Sequence, residues 1–450
     1  MDGNPVFNGD LLVVDNKIEK IAEEIECDDF DRFIDCKGNI ILPGFKNAHA
    51  HGAMTFLRGG GKDLSLHDWL FTYCFPREDK LIPSDVYYCA KVAFCEYIAS
   101  GITSSFEQYF FPLETARAAE EMGFRVVLHG TYNDITSEEN LIEYYKKYNE
   151  NRESLVTYQI GNHAEYTTDP VLEEVTGKVL KELKAPFFVH ISETQSEVDE
   201  CYKRHGVSPV QYYNNLGFYD YGGAGHHCNF FSDEDIRIFK EKNVSIVTNP
   251  GSNLYLNSGV CPVQKYLDLG FNIAIGTDGP ASNFALDMFQ EMKLVLKNNP
   301  NIPCYEIVKM ATTNGAIAMR IPECDSLCEG KLADIIMIDK SVMNDEFDPY
   351  NAIVKNGSKQ SVNLTMINGK ILYINGGFVI GQKLIDIYKK CKEVTQRIDK
   401  EIEQWLFQQW FYLDVLLLLA LYICISVGKK MIRLEKFQSH LLFYSLFQLL

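Results

Sequence analysis

The stretch Asn39–Met54 reads NIILPGFKNAHAHGAM and places two histidines after an apolar run. Ile40–Leu42 lead to His49 and His51, with only Ala50 between the two histidines. Residues i and i+2 of a strand project from the same face, so the spacing predicts two imidazoles that point into one space. Because ten histidines in 450 residues give roughly 0.2 such pairs by chance, the metal site they suggest needs further ligands elsewhere in the chain.

Apolar runs alternate with amphipathic helical segments between residues 45 and 329. After the opening strand the runs are Ile102–Phe106, Arg125–His129, Tyr158–Asn162, Phe187–His190, Gly225–Cys228, Val244–Thr248 and Asn272–Thr277. Strand alternating with helix predicts a parallel sheet with right-handed crossovers, and eight such repeats predict a TIM-like (β/α)₈ barrel. A doubly wound open sheet is the rival fold, but no Gly-x-Gly-x-x-Gly follows any early strand.

The two ends of the chain predict one smaller β domain. Residues 1–44 contain three strand-like runs, namely Asp10–Val14, Lys17–Ala22 and Asp31–Asp35. Residues 330–382 contain further runs, two of them joined by the hairpin signal Asn368-Gly369. The predicted α/β fold is therefore a barrel of residues 45–329 inserted into a small β-sandwich that both chain ends form.

The segments after residue 382 differ from the rest of the chain in their pattern of apolar and polar residues. Residues 383–405 predict a C-terminal helix, and 406–450 form an apolar tail. Within the tail, Trp410–Val427 carries Asp414 as its one charge and reaches the minimum length of a membrane span. We favour a peripheral or foreign extension over a spanning helix.

Composition narrows the class of ligand and the compartment. The net charge of −18, from 43 basic and 61 acidic residues, argues against a nucleic-acid partner and suits a small neutral or cationic molecule. Thirteen cysteines without a Cys-x-x-Cys pair indicate free thiols in a reducing compartment. No secretory signal opens the chain, so we expect a cytoplasmic protein; homo-oligomer formation is left open.

Polar residues close several predicted barrel strands, where a barrel carries its catalytic groups. They are His163 after the fourth strand, His190 and Glu193 after the fifth, His227 after the sixth and Asp278 after the eighth. Each alone is more often a structural histidine or a turn-forming aspartate. Together with the first pair, three histidines and one aspartate make a nitrogen and oxygen set suited to a divalent metal such as zinc.

Ordered motifs along the chain carry a family resemblance. They are Leu42–Met54, Leu57–Gly59, Trp69-Leu70, His190–Thr194, Asn249–Asn253 and Gly276–Asn283. Through them the chain, from about residue 5 to 400, resembles the amidohydrolase superfamily. Within it, the chain is similar to the methylthioadenosine/S-adenosylhomocysteine deaminases and to related chlorohydrolases and guanine deaminases.

The resemblance implies a site with one divalent metal ion, zinc or iron(II). The implied metal ligands are His49, His51, His190 and Asp278. The implied catalytic residues are Glu193 as proton shuttle, His227 as the group that orients the attacking water, and Asp278 as a proton acceptor. The implied substrate contacts are Glu78 on the ribose hydroxyls, His163, Glu193 and the pocket wall Trp69.

The activity implied by the resemblance is hydrolytic deamination of an adenine nucleoside, such as 5′-methylthioadenosine, to an inosine-type product and ammonia. Alternatives are another heterocyclic substrate (guanine, a cytosine-like ring, a triazine or a cyclic amide) and a non-catalytic scaffold. Three departures from the family stand out. His129 and Thr136 occupy the places of two arginines, which predicts poor use of S-adenosylhomocysteine; Glu165 replaces a proline; and a first β-strand is expected to be missing.

Overall fold

Fifteen β-strands and sixteen α-helices are present in the residues that the computed structural model describes, which are 6–61, 64–132, 136–283 and 285–426. The strands are β1 (Asp10–Val14), β2 (Lys17–Ala22), β3 (Ile40–Pro43), β4 (Phe45–Ala50), β5 (Ile102–Glu107), β6 (Arg125–Gly130), β7 (Val156–Gly161), β8 (Phe187–Ile191), β9 (Gly223–His227), β10 (Val244–Thr248), β11 (Ile273–Ile275), β12 (Ile335–Ile338), β13 (Val362–Ile367), β14 (Lys370–Ile374) and β15 (Gly377–Phe378). The helices are α1 (Leu66–Asp68), α2 (Phe75–Glu78), α3 (Pro83–Ala99), α4 (Pro112–Met122), α5 (Glu138–Glu150), α6 (Pro170–Leu183), α7 (Gln195–His205), α8 (Pro209–Asn215), α9 (Asp233–Glu241), α10 (Pro250–Tyr255), α11 (Val263–Asp268), α12 (Met288–Asn298), α13 (Cys304–Met310), α14 (Thr313–Ala318), α15 (Pro349–Asn356) and α16 (Leu384–Ser426).

The eight strands β4 to β11 form one parallel sheet in sequence order, which confirms the predicted barrel. The sheet closes where Ala50 bridges to Asp278, with the Asp278 amide donating to the His49 carbonyl at 3.0 Å. Buried apolar side chains from the strands fill the barrel interior, among them Ala48, Phe106, Val127, Phe188, Ala224, Val247 and Ala274. This packed layer supports the rim, where the strands end.

The opening stretch, Asn39–Met54, forms two strands and not the single strand that its sequence predicts. β3 joins an antiparallel sheet and β4 begins the barrel, with Gly44 between them. A Cβ atom at Gly44 would lie 2.0 Å from Cγ2 of Thr103, so the chain can change sheets here only because the residue has no side chain. The histidines still fall at the C-terminal end of β4.

Both chain ends form the small β-sandwich, as predicted. β3 is the edge of a five-stranded antiparallel sheet with β12 to β15, and β1 pairs with β2. Ile18, Ala333 and Ile335 form the core that the two sheets share. The predicted Asn368-Gly369 hairpin is present, and φ angles of +51° and +75° suit its tight turn. The predicted strand Asp31–Asp35 is wrong: its side chains are mostly exposed, and no described strand pairs with it.

The chain forms two compact units, Met1–Thr395 and Gln396–Leu450. The helix predicted at 383–405 begins at Leu384 and continues to Ser426, so its predicted end is wrong. The leucine-rich segment that follows residue 405 favours a helical backbone and extends it. Residues 427–450 lie outside the described part of the tail. No helix among the described residues is both long and apolar enough to cross a bilayer.

Candidate metal centre and active site

Four predicted ligands converge at the C-terminal rim of the barrel. His49 lies in β4, one position before its end, His51 follows β4, His190 lies in β8, and Asp278 follows β11. One ligand atom from each lies within 4.8 Å of the other three, and all four side chains are largely buried. Barrel closure thus gathers residues that lie up to 229 positions apart in the sequence (278 − 49).

Backbone carbonyls fix the tautomers of two of these imidazoles. His51 Nδ1 donates to the Gln108 carbonyl at 2.5 Å, and His190 Nδ1 donates to the His163 carbonyl at 2.7 Å. With Nδ1 protonated, Nε2 of each neutral ring is a lone-pair acceptor. These two Nε2 atoms face each other at 3.1 Å. Two acceptors at that distance repel unless a cation or a proton lies between them.

The remaining donors also fit a divalent ion. Neither ring nitrogen of buried His49 has a hydrogen-bond partner among the described residues, which is costly unless a ligand satisfies it. Asp278 Oδ1 lies 3.4 Å from Nε2 of His49 and 3.2 Å from Nε2 of His51. Three imidazoles and one carboxylate are a donor set typical of zinc.

Three of the four ligands are held in the protonation states that metal binding needs, whereas the pKa of His51 is raised because Asp278 outweighs the effect of burial. For two of the imidazoles the cause is burial. It lowers the pKa of His49 to about 3 and lowers the pKa of His190 well below its ordinary value, so both imidazoles are neutral. Burial alone would raise the pKa of Asp278, but the imidazoles of His49 and His51 outweigh it and hold that pKa well below its usual range. The carboxylate is therefore ionised at neutral pH.

The backbone is strained at the same rim. Ser192, His227, Cys228 and Asp278 have φ angles of +50°, +72°, +52° and +59° although none is glycine. Left-handed non-glycine residues cost free energy and cluster at functional sites, where the surrounding structure imposes them. Here they turn the strand ends so that His227 and Asp278 face the same space.

Glu193 and His227 lie beside the metal ligands. Nε2 of His227 lies 3.7 Å from Oε2 of Glu193 and 3.9 Å from Oδ2 of Asp278. His227 Nδ1 donates to Oδ1 of Asn253 at 2.8 Å, which leaves Nε2 as the acceptor. Burial raises the pKa of Glu193, against the opposing effect of His227, and so brings the carboxyl closer to the range of a general acid.

A cavity of about 640 Å³ opens over this cluster. Predicted site residues that line it are His51, Trp69, Glu78, His163, His190, Glu193, His227 and Asp278. The cavity is of a size usual for small-molecule sites. Buried His49 lies beneath it.

The predicted substrate contacts come from three elements. Trp69 begins the π-helical turn Trp69–Cys74, Glu78 ends α2, and His163 follows β7. Burial raises the pKa of Glu78 to about 7, although the hydrogen bond from Tyr109 works against that rise. Burial lowers the pKa of His163 to about 4, and its Nδ1 bonds to Thr167 Oγ1 at 2.8 Å. Of these substrate contacts, Glu78 is thus an acid that titrates near neutral pH and His163 is a neutral imidazole.

The described cavity lining has carboxylates but neither lysine nor arginine. His129 and Thr136, where the family resemblance leads us to expect two arginines, both line it. Burial lowers the pKa of His129 to about 3, so it supplies no positive charge at neutral pH. A ligand group with a full negative charge would therefore meet no lysine or arginine among these residues.

Sequence reasoning missed Gln108 and Tyr109, which follow β5 at the same rim. Gln108 fixes the tautomer of His51 through its carbonyl, and Tyr109 bonds to Glu78. Attention to uncharged polar residues at strand ends would have singled out Tyr109, whereas Gln108 acts on His51 through its main chain, which leaves no signal in the sequence. Glu165, where the resemblance leads us to expect a proline, is buried and accepts hydrogen bonds from Arg204 and His205 of α7, which ties down the loop after β7.

Comparisons with known proteins agree with this architecture. The family model described as the amidohydrolase family matches residues 40–372. A 5-methylthioadenosine/S-adenosylhomocysteine deaminase of Caldanaerobacter subterraneus is 34% identical over 88% of this chain and 95% of its own length. A 5′-deoxyadenosine deaminase of Methanosphaera stadtmanae is 36% identical over 80% and 89% of the two chains.

A solved structure shares the fold. The adenosine deaminase from Xanthomonas campestris with bound zinc superposes with a TM-score of 0.79 at 24% identity, covering 87% of this chain and 93% of that one. The extent of the family match, together with relatives above 30% identity along most of the chain, establishes the family. This chain belongs to the amidohydrolase family.

Proposed function

We propose that the protein hydrolyses the exocyclic amine of an adenine nucleoside, giving an inosine-type nucleoside and ammonia. The observation that carries the proposal is that Glu78 and His163 line the same cavity as Glu193 and the metal ligands. A carboxylate for ribose hydroxyls and a proton shuttle for the base are then held in one site. The names of the similar deaminases support the same reaction.

His49, His51, His190 and Asp278 would hold one divalent ion, with zinc favoured by the donor set. When bound, such an ion lowers the pKa of water to about 7 and so supplies hydroxide at neutral pH. The residues around the cluster then handle protons and orient the reactants.

The chain's own groups account for each proton. Water adds to the amino-bearing ring carbon, and Oδ2 of Asp278 takes the proton that the water loses. Nε2 of His227, a lone-pair acceptor in this tautomer, orients the water. Glu193 protonates the adjacent ring nitrogen, which stabilises the tetrahedral intermediate, a contribution of about 10²–10⁴ in rate. Asp278 then passes the proton that it took from the water to the amine, which leaves as ammonia. The added hydroxyl returns a proton to Glu193 as it becomes the carbonyl of the product, so both carboxyl groups regain their starting states.

The cavity favours a neutral group at the 5′ position. Leu66, Phe71, Phe75, Phe110 and Phe111 are among its apolar lining residues, and none of the described lining residues is a lysine or an arginine. A methylthio or deoxy 5′ group buries apolar surface there, whereas a zwitterionic amino-acid tail would lose hydration without an ionic partner. We therefore propose 5′-methylthioadenosine-like nucleosides as preferred substrates.

A panel of amine-bearing heterocycles on the zinc-loaded protein tests the proposal. We expect the ultraviolet absorbance of adenine nucleosides to shift to that of the inosine product, with one ammonia released for each nucleoside. The panel includes guanine, a cytosine-like base and a triazine, because related family members act on other rings. Turnover of one of these with none of any adenosine derivative would overturn the proposal.

The metal content of the purified protein distinguishes the proposed enzyme from the alternative of a non-catalytic scaffold. The ligand cluster is complete, so purified protein should retain about one divalent ion per chain. In a non-catalytic scaffold, we expect substitutions to have removed one or more of the four metal ligands. Protein that takes up no divalent ion would favour the scaffold alternative.

A further inference from the structure

We propose that Ser258 is a positioning residue that holds the carboxyl group of Glu193 in its proton-transferring orientation; the inference rests on the function proposed above. Oγ of Ser258 donates to Oε1 of Glu193 at 2.8 Å. Only 2% of Ser258 and 5% of Glu193 are exposed, so water does not compete freely for this bond. The other oxygen of Glu193, Oε2, is the one that faces His227.

A hydroxyl is suited to a group that changes its protonation state. Glu193 must be a protonated acid when it approaches the ring nitrogen and a carboxylate after the transfer. A serine hydroxyl can donate to the carboxylate and can accept from the protonated acid. Ser258 therefore keeps Oε1 anchored in both states and leaves Oε2 directed at the reacting atoms.

Asn229 fixes the backbone on both sides of this bond. Its Nδ2 donates to the carbonyl of Glu193 at 2.9 Å and to the carbonyl of Ser258 at 3.3 Å. The loops after β8 and β10 are thereby tied together directly behind the carboxyl group. Asn229 is 7% exposed, so these bonds lie inside the protein.

Asn253 connects these hydrogen bonds to His227. Its Nδ2 donates to Oδ1 of Asn229 at 3.0 Å, and its Oδ1 accepts from Nδ1 of His227 at 2.8 Å. Its carbonyl accepts from the amide of Ser258 at 2.9 Å. Glu193, the proton shuttle, and His227, which orients the water, stand at the ends of different strands and are thus held by one continuous set of buried hydrogen bonds.

Paired variants of matched shape test the role of the hydroxyl. Ser258→Thr retains the hydroxyl, and Ser258→Val replaces it by a methyl group of similar size. With zinc-loaded protein and the best nucleoside of the panel, we expect Ser258→Val to lower kcat by roughly ten- to a hundredfold, the effect of losing a hydrogen bond to a charged group. We expect KM to change less than about threefold and Ser258→Thr to recover most of kcat.

The outcomes decide between positioning and packing. Equal kcat for wild type and Ser258→Val would overturn the inference, as would equally low kcat for the threonine and valine variants. A rise in KM with unchanged kcat would also overturn it, because the serine would then act on binding. Metal content is measured alongside, and loss of zinc from Ser258→Val but not from Ser258→Thr would assign the hydroxyl to metal retention and overturn the proposed role.

A second serine, in helix α10 just before the loop that carries Ser258, provides the control. Ser252 is buried, and its hydroxyl has no partner among the described residues. Ser252→Ala should therefore leave kcat and KM near their wild-type values. Wild-type turnover is measured first: its absence contradicts the proposed function, whereas normal wild-type turnover with a fully active Ser258→Val contradicts only the role of Ser258.

Discussion

The hydroxyl of Tyr109 donates to Oε1 of Glu78 at 2.7 Å, and both residues line the cavity over the metal ligands. Tyr109 comes from the rim after β5, whereas Glu78 ends α2 outside the barrel. The bond occupies one carboxylate oxygen and leaves the other for a ligand. A carboxylate held in this way can accept hydrogen bonds from the two hydroxyls of a ribose.

Substitution of Glu78 should weaken the binding of nucleosides but not that of free bases. We expect Glu78→Ala to raise KM for the preferred nucleoside about ten- to a hundredfold, because a hydrogen bond to a charged group is worth about 1.5–3 kcal/mol. KM for adenine itself should change little, since the free base has no ribose. Steady-state kinetics with both compounds measure this. Equal effects on the two would contradict ribose recognition by Glu78.

Nucleoside binding should depend on the ionisation of Glu78. Burial raises its pKa to about 7 from the ordinary acidic value, so the free enzyme is mostly protonated at pH 6 and mostly ionised at pH 8. Since the ionised form is the better hydrogen-bond acceptor, KM for the nucleoside should fall by roughly tenfold between these pH values. Glu78→Gln should remove the dependence. A KM that is independent of pH in the wild type would contradict it.

Loss of one imidazole should remove both metal and activity. His190→Ala takes away a ligand whose ring the His163 carbonyl orients, so we expect less than stoichiometric metal and a fall in kcat/KM of more than about 10³-fold. Elemental analysis and kinetics measure the two effects. His67→Ala is the control, because that side chain is 74% exposed and lies outside the ligand cluster. Intact turnover in His190→Ala would refute the metal site.

S-Adenosylhomocysteine should be a poorer substrate than 5′-methylthioadenosine. Its carboxylate would enter a cavity whose described lining includes Asp169 and Glu193 but no lysine or arginine. We expect kcat/KM to be lower by about tenfold or more, expressed mainly in KM. The two nucleosides have the same reacting ring, so the ratio of their kcat/KM values measures the effect of the 5′ group alone. A clear preference for S-adenosylhomocysteine would contradict this specificity.

The change of sheet at Gly44 should be sensitive to a single methyl group. Gly44→Ala would place a Cβ 2.0 Å from Thr103, and overpacking of this kind costs about 1–3 kcal/mol in the free energy of unfolding. Gly177→Ala, within α6, meets only the ring of Phe218 at 3.2 Å and gains helix propensity, so it should change stability by less than about 1 kcal/mol. Thermal or urea unfolding measures both. Equal stability of the two variants would show that Gly44 is not required.

Local patterns were sufficient for the barrel and for the candidate ligands. The alternation of apolar runs with amphipathic helices is a property of neighbouring residues, and it predicted all eight strands. The convergence of His49, His190 and Asp278 followed because every parallel strand ends at the same rim. The turn at Asn368-Gly369 was also local, since it depends on two residues that tolerate positive φ.

Other features depended on contacts that no short window of sequence contains. The sequence by itself determined which elements form and which side chains stand at strand ends, because these follow from periodicity and backbone preference. Only the tertiary structure decided that Gly44 divides two sheets, that Gln108 fixes the tautomer of His51, and that Ser258 bonds to Glu193. Each of these features requires an atom from a distant segment of the chain. The sequence around a serine or a glutamine is the same whether or not the fold brings such a partner atom into contact with it.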